Sequence, residues 1–118
     1  MTTNAEAPRK PGRKPDPLTG ILGEVKAKAK EAPTEGLPLR GGKNPEAGRQ
    51  HYEAQEQRWS TINIQRSDEQ ALGMDGLLIE DVFAAFGDAE ASGSRAALVL
   101  LAAQAVVAID AIDRGLGV

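Results

Sequence analysis

Residue types that build many active sites are missing or scarce in this chain of 118 residues. It contains no cysteine and a single histidine, His51. The absence of cysteine excludes disulfide bonds, thiolate metal sites and a cysteine nucleophile. One histidine is too few for a histidine-rich zinc centre. The sequence also has no glycine-rich phosphate loop and no serine-centred nucleophile motif.

The first residues lack the apolar segment of a secretory signal. The stretch MTTNAEAPRKPGRKPDP is basic, but no run of apolar residues follows it. We therefore expect a cytoplasmic location.

Charge and composition divide the chain near residue 44. Residues 1–44 contain nine Lys and Arg and five Asp and Glu. Residues 45–118 contain five Lys and Arg and twelve Asp and Glu. The two parts therefore carry +4 and −7, which sum to the net charge of −3. The first part also contains six of the seven prolines and few large apolar residues, too few to offset the entropy of ordering. We predict a disordered basic arm over 1–44 and a helical body over 45–118.

Within the arm, the stretch from Leu18 to Val25 has apolar residues at helical spacing. The alternating lysines that follow make it a candidate for a basic helix that forms on a partner.

The body begins with a helix that has a clear start. Asn44 suits an N-cap and Pro45 suits the first helical position, and the pattern predicts a helix to about Trp59. The next residues, STINIQ, read as a connector. The stretch SDEQ then matches a capping box, which predicts a helix start near Asp68.

Two further helices complete the predicted fold. The stretch DGLLIEDVFAAFG carries an apolar stripe and ends at Gly87, which suits the position after a helix. The last helix is predicted from about Arg95 to Arg114, followed by Gly115. The fold class is therefore all-α, a small bundle of about three helices.

The last helix is too short an apolar segment for a membrane span. Fourteen residues from Ala96 to Ile109 contain one polar break, Gln104, whereas a bilayer requires about 20 apolar residues. We predict a buried bundle helix and no membrane partner. Because a body of this size is small for stability on its own, we expect a second copy of the chain to complete the bundle.

Residues 78–115, LIEDVFAAFGDAEASGSRAALVLLAAQAVVAIDAIDRG, resemble the two-helix core of MazG-like all-α nucleoside triphosphate pyrophosphohydrolases. The closest likeness is to short versions from actinobacteria and their phages. The upstream EQRWS (56–60) is similar to an acidic-Arg-Trp-Gly stretch of that family. In the family, carboxylates in Glu-Glu-x-x-Glu and Glu-x-x-Asp patterns hold Mg²⁺, which binds the triphosphate of a nucleotide.

Placed on that pattern, only the first two acidic positions are kept. Glu80 and Asp81 match them and are the candidate metal ligands. Ala84, Ala97 and Leu100 stand where the resemblance implies the other three carboxylates. Alanine and leucine offer no oxygen to a hard cation such as Mg²⁺. The resemblance therefore implies inherited helices with a degenerate metal site.

Other charged groups give weaker signals. Asp110 and Asp113 could bind a cation, but we interpret them as a solvated helix end. The stretch PRKPGRKPDP resembles an AT-hook, a basic arm that binds the minor groove of DNA, but Pro11 stands where that motif has arginine. The residues that could contact nucleic acid are Arg9, Lys10, Arg13 and Lys14.

Three functions remain open from the sequence. The first is a MazG-like helical protein that has lost catalysis and acts through oligomerisation or binding. The second is a Mg²⁺-dependent pyrophosphohydrolase that uses Glu80 and Asp81 with acids from another subunit. The third is a small phage or mobile-element protein whose basic arm binds nucleic acid.

Overall fold

The computed structural model describes residues 16–116 of the chain. Within them the fold is all-α, without strands, which confirms the predicted class. The helices are α1 (Pro17–Glu31), α2 (Pro45–Asp68), α3 (Met74–Gly87) and α4 (Ala91–Asp113). Four helices stand where we predicted about three, because one lies in the segment predicted to be disordered.

Helix α1 corrects the prediction of disorder for residues 17–31. The Asp16 carboxylate accepts a hydrogen bond from the Leu18 amide at 3.0 Å and caps the helix, and Pro17 occupies its first turn. The helix ends before Pro33, which disfavours helical geometry in the residue it follows. Ile21 is buried and α1 packs on α4 of the same chain. The helix is therefore formed without a separate partner.

Helix α2 begins as predicted but is longer than predicted. The Asn44 side chain accepts from the Ala47 amide at 3.1 Å. The stretch STINIQ continues the helix, and SDEQ lies at its end, so the predicted connector and capping box are wrong. Packing explains the difference: Asn63 in this stretch is buried against α3, and such contacts override the weak helix preference of β-branched residues. The chain turns at Gln70, where φ is 56°.

Helices α3 and α4 follow the sequence pattern more closely. Gly87 was predicted to follow the helix, but it is the last residue of α3, and Asp88 is the C-cap. Helix α4 begins at Ala91, earlier than the predicted Arg95. It ends at Asp113, and Gly115 has a φ of 67°, the left-handed conformation expected after a helix.

The four helices form an open row. Helix α2 packs on α3, α3 packs on α4, and α4 packs on α1. In the part of the chain that the structure describes, α2 does not contact α4 or α1, so the row does not close into a bundle. The buried apolar residues are correspondingly few: Ile21, Ala85, Val106 and Ala111. A row of this kind has a small core and leaves helix faces uncovered.

Two glycines let α2 and α3 approach closely and set their antiparallel register. A Cβ on Gly87 would lie 2.6 Å from the Glu53 backbone nitrogen and 2.8 Å from its Cα. A Cβ on Gly76 would meet the side-chain amide of Asn63. A side chain at position 87 would therefore force the helices apart, and one at position 76 would displace the Asn63 amide.

Two arginines satisfy the carbonyl groups at the end of α3. The Arg40 guanidinium donates to the Phe86 and Asp88 carbonyl oxygens, both at 2.6 Å. Arg49 donates to the Gly87 carbonyl oxygen at 2.9 Å. Positive charge at a helix C-terminus is also favourable to the helix dipole. Through Arg40, the segment between α1 and α2 is attached to the α3–α4 turn.

Helix α4 has 23 residues and is long and apolar enough to cross a membrane by length and composition, so the argument that its apolar segment is too short for a span is wrong. The core helix of a soluble protein passes the same test, so a single such helix is weak evidence for a span. Only 17 % of its most apolar window is buried within this chain. One side of the helix is therefore uncovered in the isolated chain, whereas residues such as Leu98 and Leu101 are half-buried.

We expect Gly87→Ala to destabilise the fold by about 1–3 kcal/mol, because the new methyl group meets backbone atoms that cannot rotate away. Gly48→Ala is the matched control: it lies in α2, no atom stands within 4 Å of its Cβ position, and alanine favours helix by up to about 1 kcal/mol. Urea unfolding followed by circular dichroism measures both. Equal stability of the two variants would contradict the close approach of α2 and α3.

Candidate functional site

Three acidic side chains from two helices lie in one partly buried region. Glu56 comes from α2, and Glu80 and Asp81 come from α3. All three are half-buried. None of them forms an ion pair within residues 16–116. We call Glu56, Glu80 and Asp81 the carboxylate cluster.

Asn63 holds Glu80 in place. Its amide nitrogen donates to a Glu80 carboxylate oxygen at 2.8 Å and to the Gly76 carbonyl oxygen at 2.9 Å. The Asn63 side chain is 95 % buried, since its exposed fraction is 5 %. A buried donor fixed by two acceptors restricts the rotamers of Glu80.

The surroundings favour the neutral forms of two cluster members. Burial raises the pKa of Glu56, and the negative charges of Glu80, Asp88, Glu53 and Asp81 raise it further. Burial likewise raises the pKa of Asp81, with Glu80 adding to the effect. One Asp81 carboxylate oxygen is buried without a hydrogen-bond partner in the described structure, which is a direct cause of the desolvation.

The cluster does not form a complete metal site on this chain. Within residues 16–116, no group of three or more His, Cys, Asp or Glu side chains is placed to hold one ion. Ala84 and Ala97 are half-buried and Leu100 is exposed, and none has an oxygen ligand on its side chain. The residues present therefore do not fit the five-carboxylate set that the family resemblance implies.

The remaining predicted residues lie elsewhere. Asp110 is buried, with an exposed fraction of 8 %, and its carboxylate lies 3.0 Å from the Arg114 guanidinium. The interpretation of Asp110 as a solvated acid is therefore wrong, whereas Asp113 is exposed. His51 is exposed and stands edge-on to Tyr52, with ring centroids 5.8 Å apart. The candidate nucleic-acid residues Arg9, Lys10, Arg13 and Lys14 lie outside the described residues.

Compared with models of protein families, with curated proteins and with solved structures, the chain matches none of them. The MazG-like resemblance therefore depends on the quoted residues alone.

Sequence reasoning missed two members of this region. Glu56 was seen only within EQRWS, and Asn63 lay in the predicted connector. A continuous α2 would have shown that both residues lie on the helix next to Glu80 and Asp81. The signal that could have found them is the absence of glycine and proline between Arg49 and Gln70.

We predict that Glu56→Gln stabilises the fold at pH 7 by up to about 1 kcal/mol, because the neutral amide removes a partly buried charge next to other acids. The native state holds the Glu56 proton more tightly than the unfolded chain does, since folding raises its pKa. Its contribution to stability is therefore favourable at low pH and is lost as the pH rises through the raised pKa. The extra stability of Glu56→Gln over wild type should therefore shrink at low pH, where the Glu56 side chain of the wild type is also neutral.

Thermal unfolding at pH 7 and pH 4 measures this difference. Glu35→Gln, an exposed acid outside the four helices, is the control and should leave the melting temperature unchanged. A Glu56→Gln variant less stable than wild type at pH 7 would contradict the electrostatic account.

Proposed function

We propose that this chain is a MazG-like helical protein that has lost catalysis and acts by associating with a second copy of itself. The observation that carries the proposal is the uncovered apolar face of α4. Val99, Leu100 and Val107 are exposed by 55 %, 49 % and 50 %. Their spacing places them on one side of the helix together with the exposed Ala96 and Ala103. We call these five residues the α4 face.

The α4 face continues onto α3. A groove between the two helices, with a volume of about 200 Å³, is lined by Met74, Leu77, Leu78, Gln104 and Val107. Met74 and Leu77 are themselves exposed by 47 % and 36 %. A contiguous apolar surface of this kind is characteristic of a protein interface.

The small core gives the physical reason for association. Four buried apolar residues supply little of the burial that offsets the entropy of folding. Each Å² of apolar surface removed from water contributes about 25 cal/mol, and a stable interface buries about 800 Å² per partner. A second row of helices laid on the α4 face would provide the missing layer. Identical subunits related by a two-fold axis do so with one surface.

Loss of catalysis is supported by the ligand positions. Ala84, Ala97 and Leu100 cannot bind Mg²⁺ through their side chains. In α4, the helix that the family resemblance assigns to two ligands, the acidic residues are Asp110 and Asp113 near the opposite end. The carboxylate cluster would therefore be a remnant of a metal site on a scaffold kept for association.

We expect Val99→Asp to abolish dimerisation, because it places a charge in the middle of the α4 face while its exposure leaves the fold intact. Ile64→Asp is the matched control, since Ile64 is 62 % exposed on α2 and lies outside the α4 face. Sedimentation velocity at several concentrations compares the three proteins. Loss of the dimer in the control, or its persistence in Val99→Asp, would contradict this interface.

A second candidate function is a Mg²⁺-dependent nucleoside triphosphate pyrophosphohydrolase. The observation that favours it is the meeting of Glu56, Glu80 and Asp81, whose mutual repulsion a cation would relieve. Because the set on one chain is incomplete, further acidic ligands would have to come from another subunit. In this reading Glu80 and Asp81 bind the metal and Glu56 assists.

Incubation with deoxynucleoside triphosphates and Mg²⁺ separates the two candidates. We expect no release of pyrophosphate above the blank from wild type or from Glu80→Gln. If the wild type releases pyrophosphate, Glu80→Gln does not and the Glu35→Gln control still does, the second proposal would replace the first.

A further inference from the structure

The α4 face has two opposite charges on one of its borders, one near each end of the helix. Arg95 stands in the first turns of α4, and Asp113 is the last residue of the helix. Asp113 follows Arg95 by 18 residues, which is five turns of 3.6 residues, so the two side chains lie on one line along the helix. That line borders the α4 face on the side of Val99.

Both charges are open to contact with another chain. Arg95 and Asp113 are exposed, and neither forms an ion pair within residues 16–116. The third charged residue of α4, Asp110, is different, because it is buried and already pairs with Arg114 at 3.0 Å. The uncovered apolar face is thus bordered by a positive charge near its start and a negative charge beyond its end.

These charges distinguish the two ways in which identical helices pair about a two-fold axis. When the axis runs parallel to the helices, the border with Arg95 and Asp113 faces the opposite border of the second copy, and α4 has no charged residue on that border. When the axis is perpendicular, the helices are antiparallel and the same border of both copies meets. The positive end of one copy then lies next to the negative end of the other.

We propose that two copies of α4 pair antiparallel about a two-fold axis that passes beside Ala103. This inference rests on the self-association proposed above and names its geometry. In this register Val99 of one copy lies opposite Val107 of the other, each four residues from Ala103. Arg95 lies opposite residue 111, so Asp113 is about 3 Å further along the helix, within reach of an arginine side chain. The symmetry forms this ion pair twice.

The side chains in the middle of the face also fit this register. Ala103 is exposed and small, so the two helices can approach to about 8 Å at the axis. Val99 and Val107 are exposed by 55 % and 50 %, and their mutual contact removes both from water. Exposed ion pairs add little affinity, but charges at the rim of an interface select the orientation of the partners. Apolar burial therefore holds the copies together, and the two ion pairs fix their direction.

Single-cysteine variants measure the direction, since the chain has no cysteine of its own. We expect oxidation of Ala103→Cys to link the two copies, because the axis brings this position next to its own copy and a disulfide needs Cα atoms about 4.4–6.8 Å apart. Ala96→Cys is the matched control on the same face. It lies seven residues from the axis, so its two copies are about 21 Å apart along the helices and should not link. Non-reducing electrophoresis measures the linked fraction.

Charge reversal tests the ion pair separately. We expect Arg95→Glu or Asp113→Arg alone to raise the dissociation constant of the dimer about ten-fold, and the double variant to return to within about three-fold of wild type. Arg58→Glu is the matched control, since Arg58 is exposed on α2 and forms no ion pair within residues 16–116. It should leave the constant unchanged. Sedimentation velocity measures association, and circular dichroism checks that each variant keeps its helices.

Equal linking of Ala96→Cys and Ala103→Cys would overturn the antiparallel pairing, because a parallel pair brings both positions next to their own copies. A folded double variant that associates no more tightly than the single reversals would overturn it as well. Both results would leave the self-association standing. A wild-type chain that stays monomeric at every concentration would instead overturn the self-association itself.

Discussion

The close packing of α3 against α2 is the contact on which the rest of the structure depends. Gly87 meets the backbone of Glu53, and Gly76 meets the side chain of Asn63. With α2 and α3 in this register, Glu56 and Asn63 stand next to Glu80 and Asp81. Helix α4 packs on α3 and not on α2, so the row of described helices stays open. The α2–α3 contact assembles the carboxylate cluster, and the open row leaves one face of α4 uncovered.

The two features differ in what they can do. Within the carboxylate cluster, the pKa values of Glu56 and Asp81 are raised and one Asp81 oxygen has no hydrogen-bond partner in the described structure, so these two acids cost stability at neutral pH. The cluster lacks the further ligands that it would need to bind a cation, which would offset the repulsion between its acids. The α4 face has the opposite character, because covering its apolar residues removes them from water and lowers the free energy. Self-association is therefore the function that we propose for this chain.

Local signals in the sequence predicted part of the fold. Asn44 caps α2 and Gly115 follows α4 in the left-handed conformation, because caps depend on a few adjacent residues. The all-α class followed from apolar periodicity. The continuation of α2 through Ile62 and Ile64 could not be predicted, since it depends on burial of Asn63 against a helix that comes later in the chain. The burial of Ile21 likewise depends on the packing of α1 against α4, which comes much later in the chain. For the site, Glu80 and Asp81 were found by resemblance, while Glu56 required the true length of α2.

The central claim is that the α4 face is covered by a second copy of the chain. Sedimentation equilibrium of the wild-type protein over a wide range of concentrations tests it most directly. The account predicts a mass that rises with concentration towards twice the chain mass of 12.4 kDa. A mass that remains at 12.4 kDa throughout, with the helices folded, would contradict it.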